Sequence, residues 1–278
     1  PPGWTGQLAE LGTTWKLPEE DELVQMIRQR RSSGTGPDHI GNQVYRKVPR
    51  SVAKLIPRLL EESGARGLDL GALGVDAGVW AELGVEDDGG GVERDEAGDV
   101  LDMSARLFYL VKKYAGVTRN GIPTFGPDNL RPISVLNALV RVLQRVLGLA
   151  LLSVIEPALP SEFYGWLKRV LIDDLVVDVN DWVQTSAHTG EIGLAAFLDL
   201  KAAFPNASWQ AIVYMLLRLG FSVDVVAAIQ RLGQGIEHTV VWGGKEHVGP
   251  YADDGLCQGG GDSPVLLLLL MWAMRTFL

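Results

Sequence analysis

A single cysteine, Cys257, excludes an internal disulfide and suits a reducing compartment. Histidine is almost as scarce: four residues, scattered along the chain, with no zinc-ligand spacing among them. The N-terminus lacks the basic, apolar and small-residue succession of a secretory signal. Long apolar runs are missing too. The run 265–274 makes a helix of only ~15 Å, against a hydrocarbon layer of ~30 Å. The longer stretch 135–155 carries Asn137, Arg141, Gln144 and Arg145 on one face at three- and four-residue steps, which marks an amphipathic core helix. These absences set the expectation of an intracellular chain, cytoplasmic or nuclear, with no membrane partner.

A basic excess is also lacking, since the net charge is −9. Its location matters more than its size. Between Glu61 and Asp102 lie 13 acids and 2 basic residues, and the rest of the chain holds 21 acids and 23 basic residues. The acidity therefore belongs to one Gly-rich segment, about 64–98, whose sparse apolar residues read as a solvated insertion. The near-neutral remainder permits phosphate contacts without requiring them. Its 278 residues and 47% hydrophobic content suffice for a substantial core, in one large domain or two modest ones. The chain opens on Pro1 and stops inside an apolar run at Leu278, so both ends read as cuts in something longer.

Helical periodicity is clear at 19–31, acidic at its start and basic at its end, and at 51–62. Residues 1–18 show no period and read as a lead-in, and the Ser32 to Asp38 stretch reads as a loop. A β-compatible run, 103–111, ends at Lys112-Lys113 and is followed by an irregular loop, 116–129. Further helices are expected at 135–155, 167–183, 207–219 and from Ser222 to Arg231. Asp173, Asp174 and Asp178 on the second of these read as a solvated acidic face. The segments 238–242 and 245–248, joined by Gly243-Gly244, read as a hairpin.

Three stretches carry candidate chemistry. In 193–209, GLAAFLDLKAAFPNASW, the apolar run 194–198 reads as a buried strand delivering Asp199 at its tip, with Phe204 five positions on. An acid there can hold a divalent cation through hard oxygen ligands, or simply cap the next turn. In 255–264, GLCQGGGDSP, Gln258-Gly259 stands five residues before Ser263-Pro264. Upstream, Arg131-Pro132-Ile133-Ser134 is followed by Leu136-Asn137. A guanidinium such as that of Arg131 suits a triphosphate, being permanently charged and fork-shaped.

Together, and in this order, the three stretches resemble the reverse transcriptases of non-LTR (LINE-type) retrotransposons. Asp199 and Phe204 match palm motif A, Gln258, Gly259, Ser263 and Pro264 match motif B, and the Arg131 segment matches the fingers. The resemblance implies an α+β, helix-rich, partial right-hand polymerase fold with an incomplete palm sheet. It divides the chain into helices leading into the fingers, 1–104 with the acidic insertion, and fingers with palm, 105–278. By the same resemblance Asp199 and the Leu200 carbonyl are metal ligands for Mg²⁺ or Mn²⁺. Lys112 or Lys113, with Arg131, faces the triphosphate. Phe204 lies beneath the sugar, Gln258 and Gly259 line the nucleotide pocket, and Ser263-Pro264 shapes the helix under the template. RNA template, DNA primer and deoxynucleoside triphosphates are the implied partners.

The chain departs from the family pattern in two places. Pro205 stands where many relatives have an acid after the aromatic. Tyr251-Ala252-Asp253-Asp254 spells motif C, but it precedes Gln258 and is flanked by Gly249-Pro250 and Gly255-Leu256. That position reads as the lead-in to motif B, and motif C is expected beyond Leu278. The expectation is thus a truncated polymerase domain with little or no activity of its own. A binding remnant of the same fold, without catalysis, is the first alternative. An unrelated α/β enzyme with a phosphate-binding 259–261 loop is the second, disfavoured because neither GxGxxG nor GxxxxGK[ST] is present.

Overall fold

The computed structural model describes residues 6–30, 34–73, 81, 85, 101–126, 129–167, 170–190, 192–194, 199–252 and 254–275. Among the described residues four N-terminal α-helices come first: α1 (Glu20–Arg28), α2 (Asn42–Lys47), α3 (Pro49–Gly64) and the single turn α4 (Leu70–Leu73). The Glu22 carboxylate reaches back to the Glu19 backbone N–H at 3.2 Å and closes the start of α1, whose Leu23, Val24 and Ile27 are buried. In α3 the Pro at the first turn costs no hydrogen bond, and Val52, Ile56, Leu59 and Leu60 form the buried stripe.

Strand β1 (Ala105–Val111) then pairs antiparallel with β4 (Leu130–Leu136) across a loop that holds the short strands β2 (Gly116–Val117) and β3 (Pro123–Thr124). Helix α5 (Ala138–Ile155) is the centre of the molecule. It is long and apolar enough to cross a membrane by length and composition, yet 78% of that stretch is buried in the protein's own core. Helices α6 (Ile172–Thr189), α7 (Trp209–Arg218) and α8 (Val223–Gly233) follow. The hairpin β5 (Ile236–Trp242) and β6 (Lys245–Ala252) leads to the last helix, α9 (Ser263–Arg275).

The main sheet runs β4-β1-β5-β6, antiparallel except for the parallel β1–β5 pair, so the fold is mixed α/β with a small mixed sheet. Helices α8 and α9 pack on α5, and α3 packs on α8. One contiguous apolar core reaches from Leu23 in α1 to Ala273 in α9, drawing on both sides of residue 104.

Several expectations need correction. The 3-10 helix Gly6–Thr14 forms in the lead-in that showed no period; Gly12 N–H bonds to the Leu219 carbonyl and fixes it. Val135 and Leu136 belong to β4, because their extended backbone pairs with β1, and the helix begins only at Ala138. Helix α6 starts at Ile172, five residues later than the apolar pattern suggested. The expected buried strand at 194–198 has its last four residues outside those described. Its first, Leu194, is 92% exposed and in no strand, and Asp199 is exposed ahead of a run of turns. Among the described residues the main sheet takes no strand from that segment.

Candidate functional site

Two backbone junctions bring the sequence motifs together. The Ser134 N–H donates to the Gln258 carbonyl at 2.8 Å, so the end of β4 is bonded to the loop ahead of α9. The second junction joins the segment after Asp199 to the same loop. Leu256 N–H donates to the Phe204 carbonyl at 2.7 Å and Gly255 N–H to the Ala207 carbonyl at 3.1 Å. The indole N–H of fully buried Trp209 donates to the Gly255 carbonyl at 2.9 Å. Gly255 sits at φ +84°, where a Cβ would strike the Pro205 backbone, so only glycine allows this approach. Gly259, at φ +126°, is held against the Ser134 carbonyl in the same way.

Helix α5 anchors the rest of the loop. Buried Gln144 donates to the Leu232 carbonyl at 2.6 Å and accepts from the Gly261 N–H at 3.1 Å, tying loop to α8 through one side chain. Asn137 does the same work upstream: its Oδ1 accepts from Asp38 N–H at 2.9 Å and its Nδ2 donates to the Asp102 carbonyl at 3.0 Å. The Gly36-Pro37-Asp38 turn, the strand preceding α5 and the Gly-rich loop are therefore fixed on one helix.

The expected site residues divide into three groups. Gln258, half-buried, and Gly259, exposed, share the loop with Ser263-Pro264, which begin α9. Phe204 is half-buried, with its ring edge-on to Trp166 at 6.1 Å and its body against the core. Lys112, Lys113 and Arg131 form the second group, all exposed at the loop end of the β1–β4 hairpin, where Arg131 pairs with Leu110 and Lys112 N–H bonds to the Asn129 carbonyl. Arg131 lies three residues from Ser134, ~10 Å along an extended strand. Asp199 and Leu200 make the third group, both exposed. Among the described residues no cluster of three or more His, Cys, Asp or Glu side chains is assembled. Tyr251 and Ala252 end β6 opposite Glu237 and Ile236, whereas the hairpin turn is at Gly243-Gly244.

No family model matches this chain, and no curated protein matches it either.

Sequence reasoning missed a polar cluster sealed behind the loop. Ser134 Oγ lies 2.9 Å from His238 Nε2, which lies 3.9 Å from Cys257 Sγ, and all three residues are buried. Burial pushes the Cys257 thiol up to about 11, so it stays protonated and packs as a small apolar group. The cluster cannot act as a nucleophilic triad without access to substrate; it locks β4, β5 and the loop in register. Asp262 was missed as well. Its side chain is fully buried, with Oδ2 lacking a partner among the described residues, and burial raises its carboxyl to about 7. The period-2 patterns of β4 and β5 were a signal for the first. Nothing in a run of glycines signalled the second.

Proposed function

We propose that this chain is the nucleotide- and template-handling part of an RNA-directed DNA polymerase of the non-LTR retroelement kind, built on a partial right-hand fold, with little or no incorporation of its own. The observation that carries this reading is the Ser134–Gln258 backbone bond. It joins two motif segments 124 positions apart, as a shared site requires. The Phe204–Leu256 bond adds the third segment. In this reading Lys112, Lys113 and Arg131 meet the triphosphate of an incoming nucleotide from the hairpin. Phe204 borders the sugar, Gln258 and Gly259 line the base pocket, and Ser263-Pro264 sets the helix beneath the template.

Nucleotide transfer in such enzymes needs two divalent ions held ~3.5–4 Å apart. Asp199, with the Leu200 carbonyl, offers hard oxygen donors for one ion, Mg²⁺ or Mn²⁺. Among the described residues no group of three or more His, Cys, Asp or Glu side chains is gathered. One carboxylate does not hold both ions. The second reading is a binding remnant of the same fold, without catalysis.

Primer extension and binding test the two together. The purified chain with an RNA template, a DNA primer and Mg²⁺ or Mn²⁺ is expected to bind template–primer and incorporate no nucleotide above background. Robust incorporation, abolished by Asp199→Ala, would refute the inactive state. Absence of both template–primer and nucleotide binding would refute the polymerase reading itself.

A further inference from the structure

Three arginines gather beside the Gly-rich loop. Arg141 and Arg145 are one helical turn apart on α5, and Gly261 packs directly against the backbone of both. Arg30, just after α1, donates from Nη1 to the Arg141 carbonyl at 3.0 Å, which fixes its head beside these two. Arg141 in turn donates from Nη2 to the Gly34 carbonyl at 2.8 Å. Arg141 is buried, Arg30 is half-buried and Arg145 is exposed, so the group runs from the interior to solvent.

Like charges at this spacing repel, and the repulsion is visible in Arg30. Burial first, then the fields of Arg141 and Arg145, hold its guanidinium down to about 10. Asp38 is the acid that offsets part of the charge on Arg141. Among the described residues no carboxylate forms an ion pair with Arg30 or Arg145. A guanidinium carries five N–H donors, and Arg30 uses only the one to Arg141 among the described residues. Packing alone gives no reason to place charged groups so; apolar or neutral residues would fill the same space without repulsion. An oxyanion resolves the conflict, because bidentate Arg–phosphate bonds satisfy the donors and the charge together.

We propose that Arg30, Arg141 and Arg145 form a cradle for backbone phosphates of a single-stranded polynucleotide passing beside the 259–261 loop. The oxyanion chemistry stands on these three side chains alone. The choice of a polynucleotide rests on the polymerase reading, which puts the template next to that loop.

The experiment is metal-free. A fluorescently labelled single-stranded RNA of about 20 nucleotides is titrated with the full chain in EDTA, over salt from about 50 to 200 mM, and binding is followed by anisotropy. Arg145→Gln and Arg30→Gln are each expected to weaken binding ~3- to 10-fold and to flatten the log–log salt slope by about 0.7, the pair by about 1.4. Arg58→Gln, which removes an exposed partner of Glu62 on α3, should leave both unchanged. An unaltered slope in the double variant overturns the proposal, as does an equal loss in Arg58→Gln. Inorganic phosphate and pyrophosphate are titrated in parallel. Arginine-dependent binding of these without any RNA binding would assign the cradle to a free phosphate and overturn the polynucleotide. If Arg30→Gln fails to fold by circular dichroism, the exposed Arg145→Gln decides alone. Because EDTA is present, a failure of catalysis in the primer-extension assay leaves this outcome untouched, and the two readings fail separately.

Discussion

Asp262 is the last residue before α9, and its carbonyl accepts from the Val265 and Leu266 N–H groups at 2.9 and 3.1 Å. Its side chain is 2% exposed, packed by Gly148 of α5. Backbone N–H bonds from its own residue and Ser263 pull its carboxyl down, but burial outweighs them and the net shift is upward, from 3.8 to about 7. A carboxyl with a raised folded-state value favours the protonated form when folded. Its penalty is absent below about pH 4, grows as the unfolded chain ionises, and is complete above about pH 7. The chain is therefore expected to lose on the order of 2–4 kcal/mol of stability between about pH 4 and pH 8, and Asp262→Asn to lose much less. Urea unfolding of both proteins across that range measures it; parallel curves would contradict it. This residue was invisible in the sequence because a Gly-Gly-Gly-Asp-Ser run reads as solvated loop. Only the close approach of α5, allowed by Gly148, buries the acid. Gln258 and Ser134 were legible for the opposite reason: their neighbours in sequence, not in space, gave them away.

Among the elements, α6 behaves unlike the others. Ile172, Val176, Val179 and Val183 recur on one face, with Asp173, Asp174, Asp178 and Asp181 on the other, yet no residue of the helix is buried. Val176 is 60% exposed. Because substitutions there remove no buried area, Val176→Lys with Val183→Lys should change stability by less than about 1 kcal/mol. The pair should also lower binding of an apolar dye, which an exposed stripe promotes. A loss above ~2 kcal/mol would mean that the stripe is covered in solution. Periodicity located this helix but not its start, since Leu167 and Leu171 continue the apolar pattern beyond the helical backbone. The β5–β6 hairpin was legible from its Gly-Gly turn. The parallel β1–β5 pairing was not, because it joins residues 133 positions apart at Ala105 and His238 and leaves no local signature. Val135 and Leu136 show the same limit: branched and apolar residues at a strand end fit a helix start equally well until β1 pairs with them.

At the scale of the molecule, the division at residue 104 has a consequence for folding. Helix α3 packs on α8, α8 on α5 and α5 on α9, so the N-terminal helices and the rest share one contiguous core. Gln230 of α8 strengthens the link, accepting from the Asp69 N–H and donating to its carbonyl, both at 3.0 Å. Neither part buries its apolar face without the other, and cooperative unfolding follows from that sharing. Buried Trp209 and Trp272 report the interior next to α7 and α9, while far-ultraviolet circular dichroism reports all helices. Their urea transitions are expected to coincide, with a single midpoint. Leu147→Ala, at the buried centre of α5, should shift both together by ~2–5 kcal/mol. Two separated transitions, with only one responding to Leu147→Ala, would instead identify two independent folding units. Coincident transitions would mean that the loop carrying Gln258 keeps its place only while α1 and α3 remain docked. The charge cradle of Arg30 and Arg145, which bridges those same parts, would then assemble and disappear with the fold as a whole.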